Sequence, residues 1–535
     1  IFLLSLLASG ITLAFVFYRG EEMSALSIVM PPLVQVLAVS GGIHLVNYYY
    51  EALRDPAETE PAKRCFYLGW LPCLLSAGTT AVGLFSLAVS ELTPIRNFGI
   101  DAGTGVLITT ALILAFVPGY FYFFPLRTAA TVQSDSPMES PRHQFWSHFW
   151  WELTSLLQRV SVPVIFIALI AMAFATRGLQ QLETSVRIET LFDGETPVLQ
   201  DYAWIEEHVG PVVSLELLLD FDATSPVSTI ERYRLLARAE RLLEQRAEVG
   251  ATLSALEFLP QAHQSPQMSH AEYDLQLQQI LEQSRPRLVN SGYLHQNDEG
   301  ETFRVTAFVS AIEPIDYGTL LEQMKENLRE ELYSSGYSQL NGVSMRYAGI
   351  MPLVHEIQRQ LMEDLFASFV SVFAVITIVM TIVQGGLLTG LVAMIPNLFP
   401  ILLVFGIIGW RGIAVDIGSM MTASVALGVA VDDTLHYLTF FRRGLSNGLH
   451  RQEAVNYAYH HCGRAMMQTT LICGLGLLIF GLSDFVPTSR FAWMMLYLLF
   501  TALVGDLLLL PALLLSPLGR LFEPSKKRSS VNPET

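Results

Sequence analysis

Long apolar runs separated by short polar turns occupy both ends of the chain, and one long polar stretch lies between them. Runs of this length fit the roughly 20 residues a helix needs to cross a bilayer. The pattern predicts ten spans, over approximately 1–17, 24–50, 67–90, 97–124, 160–177, 361–383, 386–408, 414–441, 463–483 and 489–516. Within 180–360 the periodicity changes. Residues 212–221 read as a strand and 228–247 as an amphipathic helix with Ile230, Tyr233, Leu236, Ala237 and Leu243 near one face. A strand follows at 251–256, then an insertion rich in Gln and Ser to about 300. Residues 303–311, 317–333 and 343–350 read as strand, helix and strand. The order β-α-β, insertion, β-α-β is the split pattern of ferredoxin-like domains. The expected fold class is therefore a polytopic α-helical membrane protein with an α+β ferredoxin-like domain outside the bilayer.

This reading divides the chain into a first-half bundle (1–125), a connecting segment with an amphipathic stretch (126–159) and a single span (160–177). The polar domain (180–360), a second-half bundle (361–516) and a tail (517–535) follow. Composition agrees. Of 535 residues, 51% are hydrophobic and 15% charged, with a mean hydropathy of +0.41; soluble domains are about 25% charged. The net charge of −17 argues against a nucleic-acid partner. Cys65, Cys73, Cys462 and Cys473 lie in or beside apolar segments without metal-ligand spacing and read as free thiols. The polar domain carries no Ser/His/Asp set, no HExxH and no phosphate loop, so no enzyme chemistry is expected there.

Basic residues gather in the connections of one side: Arg54, Lys63 and Arg64; Arg127, Arg142 and Arg159; Arg442, Arg443, Arg451 and Arg464; and the tail segment KKR. The opposite turns, YRGEE, ELTPIR, WRGIAVD and DFVPTSR, are short. The positive-inside rule puts the basic side and the C-terminus in the cytoplasm and 180–360 outside. In a bacterium with two membranes that is the periplasm, and the chain is a multi-pass protein of the inner membrane.

Two parts of the chain align with each other. LAVSGGIHLVNYYYEAL (37–53) matches VAVDDTLHYLTFFRRGL (429–445), with His44 opposite His436. GLFSLAVSELTPIRNFG (83–99) matches GLLIFGLSDFVPTSRFA (476–492), with Ser90, Glu91, Pro94 and Phe98 on Ser483, Asp484, Pro487 and Phe491. Duplicated halves in one orientation are a transporter architecture. By this symmetry a span, an external domain and a second span should precede Ile1, giving twelve spans in a full-length protein.

The apolar run 424–441 carries Asp432, Asp433 and His436. A carboxylate at mid-span costs about 2.5–3.5 kcal/mol on insertion scales, and such groups face bundle interiors or wet cavities. Neighbouring carboxylates in a low dielectric are not easily both charged, so one is expected to bind a proton near neutral pH, as a reversible proton carrier requires. His436, at i+4 from Asp432 and i+3 from Asp433, is placed to accept a proton or to orient a carboxylate. Gln468, Thr469 and Thr470 in the next span are candidate hydrogen-bond partners or packing residues. His44 and Asn47 are the polar groups of the first-half helix, where Ser40 and Gly41 stand opposite the two aspartates. Asp506, before Pro511, is a candidate second relay or a packing residue at a helix break. Asp101 and Asp364 lie near span ends and read as structural, as do Met420 and Met421.

The stretch from Ile395 to Leu445, and within it the pattern G-x-x-x-D-[DY]-x-x-H followed by aromatic and basic residues, resembles the core of resistance–nodulation–division (RND) superfamily permeases. The branch it resembles holds the mycobacterial large membrane proteins (MMPL), the hopanoid-transport permeases and the sterol-sensing-domain proteins. The resemblance implies twelve spans with large external domains after spans one and seven, of which this chain holds spans three to twelve. It implies that Asp432 and Asp433 stand where span-ten aspartates relay protons. Ser40 and Gly41 depart from members acidic in both halves. The implied function is proton-motive-force-driven export of lipids or other hydrophobic molecules, with protons and membrane lipids as partners and no cofactor. A dimer, a trimer or a periplasmic accessory protein would fit the family. A lipid- or sterol-sensing protein that does not transport, and a multidrug efflux permease, are alternatives.

Overall fold

A computed structural model describes residues 1–53, 59–125, 141–260, 270–313, 315–334 and 342–523. The expected basic positions Arg54, Arg127 and 526–528, most of the tail, and the first part of the connecting segment lie outside them. The first half comprises α1 (Phe2–Tyr18), α2 (Met30–Leu53), α3 (Pro61–Phe85) and α4 (Thr93–Phe123). α5 (Pro141–Leu179) runs from the connecting segment into the single span, with a non-helical Val160 and Pro163 marking its kink.

The chain divides into two compact units, one of Ile1–Ser185 with Leu361–Thr535 and the other of Val186–Gln360. The second holds α6 (Ile188–Leu191), α7 (Pro197–His208), β1 (Val213–Asp222), α8 (Thr229–Glu244), β2 (Val249–Ser254), α9 (His270–Asn290), β3 (Leu294–Asn297), β4 (Gly300–Val309), α10 (Tyr317–Ser334) and β5 (Val343–Ala348). Sheet order is β2-β4-β1-β5 with β3 beside β4, and the pairs are antiparallel. Alternation fixes the register: Leu215, Leu217, Leu219 and Phe221 of β1 all point into the core. α8 begins at a capping box between Ser228 and Glu231. The Gln- and Ser-rich insertion folds in its described part as α9 and β3, and β3 pairs with β4, the strand expected after it.

Second-half helices follow: α11 (Ile350–Gln384), α12 (Leu387–Trp410), α13 (Ile417–Ser446), α14 (Arg451–Ala458), α15 (Arg464–Leu478), α16 (Val486–Val504) and α17 (Leu510–Leu515). π-helical turns at Tyr459–Gly463 and Gly505–Leu509 join α14 to α15 and α16 to α17. Among the described residues, eight helices are long and apolar enough to cross a membrane, counting each of these joined pairs as one. The two other predicted spans are helical as well. α1 is shorter, at 17 residues. α13 has the length, at 30 residues, but its polar side chains, the two carboxylates among them, dilute its hydropathy.

The internal repeat reaches further than the sequence alignment. Ser24 caps the amide of Ser27 as Asp416 caps that of Ser419. Short 3-10 turns at Ser86–Val89 and Ile479–Leu482 follow α3 and α15, and then Ser90 and Ser483 accept from the amides of Leu92 and Phe485. α2 and α13 are thus equivalent helices, and they meet face to face.

Candidate functional site

α2 and α13 touch along one stripe of each helix, at residues 40, 44, 48 and 51 and at 432, 436, 440 and 443, spacings that keep side chains on one face. Each residue contacts its own repeat equivalent. Ser40 Oγ lies 3.5 Å from Asp432 Oδ2. The His44 and His436 rings stack at 4.1 Å with planes 5° apart. Tyr48 stacks on Phe440 at 5.5 Å. Arg443 pairs with Glu51 at 3.2 Å. Farther along the bundle, Phe98 meets Phe491 edge-on at 6.4 Å. Self-contact of equivalent residues is the signature of a two-fold axis, so this column marks the pseudo-two-fold seam between the halves.

Both aspartates sit on that seam, and each has a histidine from a different half. His436 Nε2 is 3.3 Å from Asp432 Oδ1, and His44 Nε2 is 3.6 Å from Asp433 Oδ1. Asp432 also accepts from the hydroxyl of Ser76 on α3. Tyr48 OH holds His436 Nδ1 at 3.0 Å. His44 and His436 are 2% and 1% exposed, and His44 Nε2 makes no full hydrogen bond. Ligand atoms of His44, Asp432 and His436 come within 4.8 Å of one another. At that spacing the three could hold a metal ion or exchange a proton.

Two small cavities flank the cluster. One, of about 30 Å³, is lined by Cys73, Ser76, Thr80, Asp432 and His436. The other, of about 20 Å³, is lined by Ser40, Asp432, Asp433, Thr469 and Thr470. Each is large enough for a water molecule. α3 lies close against α13 because both are glycine at the contact, Gly83 and Gly428. Thr80 Oγ1 donates to the Gly428 carbonyl at 3.1 Å.

The other predicted residues separate. Thr469 faces the aspartates' cavity, but its hydroxyl donates to the carbonyl of Met466. Gln468, about 100° around the helix, lines a different cavity of about 630 Å³ with Asn47, Trp150, His461 and Arg464. Asp506 lies on the π turn and contacts Thr434 of α13. Asp101 is bound by Arg19, and Asp364 accepts from Ser90 at 2.5 Å. Met420 and Met421 are buried packing residues, and the four cysteines are free and buried. Sequence reading missed Ser76 and Tyr48. Ser76 stands in repeat register with Thr469, and that register was the available signal.

No curated protein matches the sequence. The solved structure of the hedgehog release protein Disp from the water bear Hypsibius dujardini is similar, with a TM-score of 0.63 at 15% identity. The match covers 93% of this chain and 63% of that one, so the chain spans less than two thirds of that protein's length. At this identity the likeness shows a common fold. The MMPL family model matches residues 1–164 and 321–532. That match takes in both halves of the membrane bundle and every residue of the axial column, and the chain belongs to the MMPL family of the RND superfamily.

Proposed function

We propose that this protein is a proton-driven exporter of lipids or other hydrophobic molecules, with the axial carboxylate–imidazole cluster as its coupling site. The observation that carries this reading is the pairing of Asp432 and Asp433 with histidines of different halves, whose rings stack across the seam at 4.1 Å. With two protons bound, two imidazolium ions face two carboxylates and the cluster is neutral. Loss of one proton leaves an uncompensated charge, which costs several kcal/mol in a buried setting. The halves then favour a packing that admits water. The flanking cavities offer steps for a proton on either side.

In the orientation implied by the basic connections, protons enter from the periplasmic side of a bacterial inner membrane. The polar unit then takes substrate from the outer leaflet. A potential of 100 mV contributes about 2.3 kcal/mol per charge, and RT ln 10 of about 1.4 kcal/mol makes that more than a tenfold bias.

Proteoliposomes carrying a fluorescent phospholipid and an imposed pH gradient test the reading. Gradient-dependent transfer of the lipid to acceptor vesicles, lost in Asp432→Asn, is expected. Transfer that ignores both the gradient and the substitution would refute it. The cluster's asymmetry, with Ser40 and Gly41 where the second half has Asp432 and Asp433, favours a second reading as a lipid-sensing protein without proton flux. Background flux in wild type and variant alike would select that alternative.

A further inference from the structure

Thr434 follows Asp433, so its side chain leaves α13 about 160° from Asp432's, on the face turned away from the seam. There it meets Asn397 of α12 and Asp506 of the π turn. Its Oγ1 lies 3.0 Å from Asn397 Oδ1 and 2.5 Å from Asp506 Oδ1. Thr434, Asn397 and Asp506 are 0%, 1% and 2% exposed. None of the three contacts the axial histidines.

Hydrogen counting fixes the arrangement. Asn397 Nδ2 donates to the Ala393 carbonyl at 3.0 Å. A carbonyl is an acceptor alone, so the amide oxygen is the atom facing Thr434. The Thr434 hydroxyl has one proton and two acceptors beside it. If Asp506 were ionised it would take that proton. Two oxygens, those of Thr434 and Asn397, would then stand in contact with no hydrogen between them. The carboxylate would also be fully buried with one hydrogen bond. If Asp506 carries a proton, the pattern closes: its carboxyl donates to Thr434, Thr434 donates to Asn397, and Asn397 donates to Ala393. No described Lys, Arg or His pairs with Asp506 to favour the ionised form; its titratable neighbours are Asp432 and Asp433 on α13, Tyr437 on the same helix, and Cys462 on the other π turn.

The backbone around this chain of bonds is broken twice at the same level. Pro400 has no N–H for the carbonyl of Pro396 four residues earlier. Gly505 packs onto that same carbonyl; a Cβ there would stand 2.9 Å from it. The π turn then carries Asp506. Helix irregularities of this kind concentrate at functional sites, and they leave α12 and α16 able to shift at this level.

We propose that Asp506, Thr434 and Asn397 form a second proton-binding site, confined to the second half and separate from the axial cluster. Deprotonation of Asp506 reverses the Thr434 hydroxyl, which then donates to the carboxylate and releases Asn397. α12 thereby loses its polar tie to α13. The use of this site in transport rests on the proton-driven reading above; the protonated carboxyl itself rests on the hydrogen-bond geometry.

Infrared spectroscopy of the full chain in liposomes tests the site without requiring transport. A protonated-carboxyl C=O band is expected in wild type at neutral pH, retained in Asp432→Asn and Asp433→Asn and missing in Asp506→Asn. The asparagine amide can still donate to Thr434, so this variant should fold with wild-type stability. Thr434→Val, which removes the acceptor, should shift the same band to higher frequency. An unchanged set of bands in Asp506→Asn, or a band abolished by sodium chloride but not by choline chloride at fixed pH, would overturn the proposal. Wild-type proteoliposomes without proton flux would sink the transport reading while leaving this band assignment standing.

Discussion

Gly83 and Gly476 hold the same place in the two repeats, yet alanine is predicted to have unequal effects at them. A Cβ at Gly83 would lie 2.7 Å from the Ser424 carbonyl oxygen and 3.1 Å from Gly428 Cα, both backbone atoms of α13. A Cβ at Gly476 would meet Cγ2 of Val36 at 2.9 Å, the end of one side chain. The difference has a simple origin: Val36 is the repeat equivalent of Gly428, so one interface is glycine on glycine and the other glycine on valine. Alanine gains about 1 kcal/mol of helix propensity at either position. Overpacking against rigid backbone costs about 1–3 kcal/mol. Parting α3 from α13 also strains the Ser76–Asp432 and Thr80–Gly428 hydrogen bonds, each worth about 1 kcal/mol. Gly83→Ala should therefore lose roughly 2–3 kcal/mol, and Gly476→Ala should stay within about 1 kcal/mol of wild type. Apparent unfolding midpoints of the three proteins in one detergent, measured side by side, check this. Equal shifts in both variants would refute the assignment of a tight α3–α13 seam.

Three further outcomes follow from the same geometry. Tyr48→Phe keeps the stack on Phe440 but removes the hydroxyl bound to His436 at 3.0 Å; proton uptake should slow a few-fold without vanishing, at a stability cost of about 1 kcal/mol. Arg443 bonds Glu51 and the Leu68 carbonyl and lies over Tyr48 and Phe440. Glu51→Ala and Arg443→Ala should therefore be non-additive in a double-mutant cycle, with a coupling of about 0.5–3 kcal/mol. In the polar unit, burial pushes the Glu240 carboxyl up, with hydrogen bonds from Ser254 and Thr252 opposing it. A value raised by folding favours the folded state in acid, and that advantage is lost as pH rises through the folded value. Glu240→Gln should consequently raise hydrogen-exchange protection of residues 229–254 at neutral pH and do little in acid.

The sequence was most informative where residues violate their surroundings. Asp432, Asp433 and His436 stand out in an apolar run, and the duplication brought in His44 and Ser40. The span pattern and the β-α-β order of the polar unit were readable because hydrophobic period is a local property. What stayed hidden depends on which helices become neighbours. Ser76 lies 356 positions before Asp432, and a serine among alanines and glycines carries no signal of that contact. Thr434 and Asn397 look like ordinary membrane-helix residues until α12 and the π turn come together. Gln468 shows the reverse error: adjacency to Thr469 suggested a shared role, and helical rotation sends it into another cavity. The repeat also carries contacts: equivalent positions on α2 and α13 are partners, so its offset pairs Tyr48 with Phe440 and Glu51 with Arg443.

The proposed coupling requires the seam between the halves to bind and release protons through Asp432 and Asp433. The most direct measurement follows internal pH in proteoliposomes after an external acid step, comparing wild type with Asp432→Asn and Asp433→Asn. Proton entry is expected in wild type, and its loss in both variants. Equal, background-level entry in all three would contradict the proposed coupling.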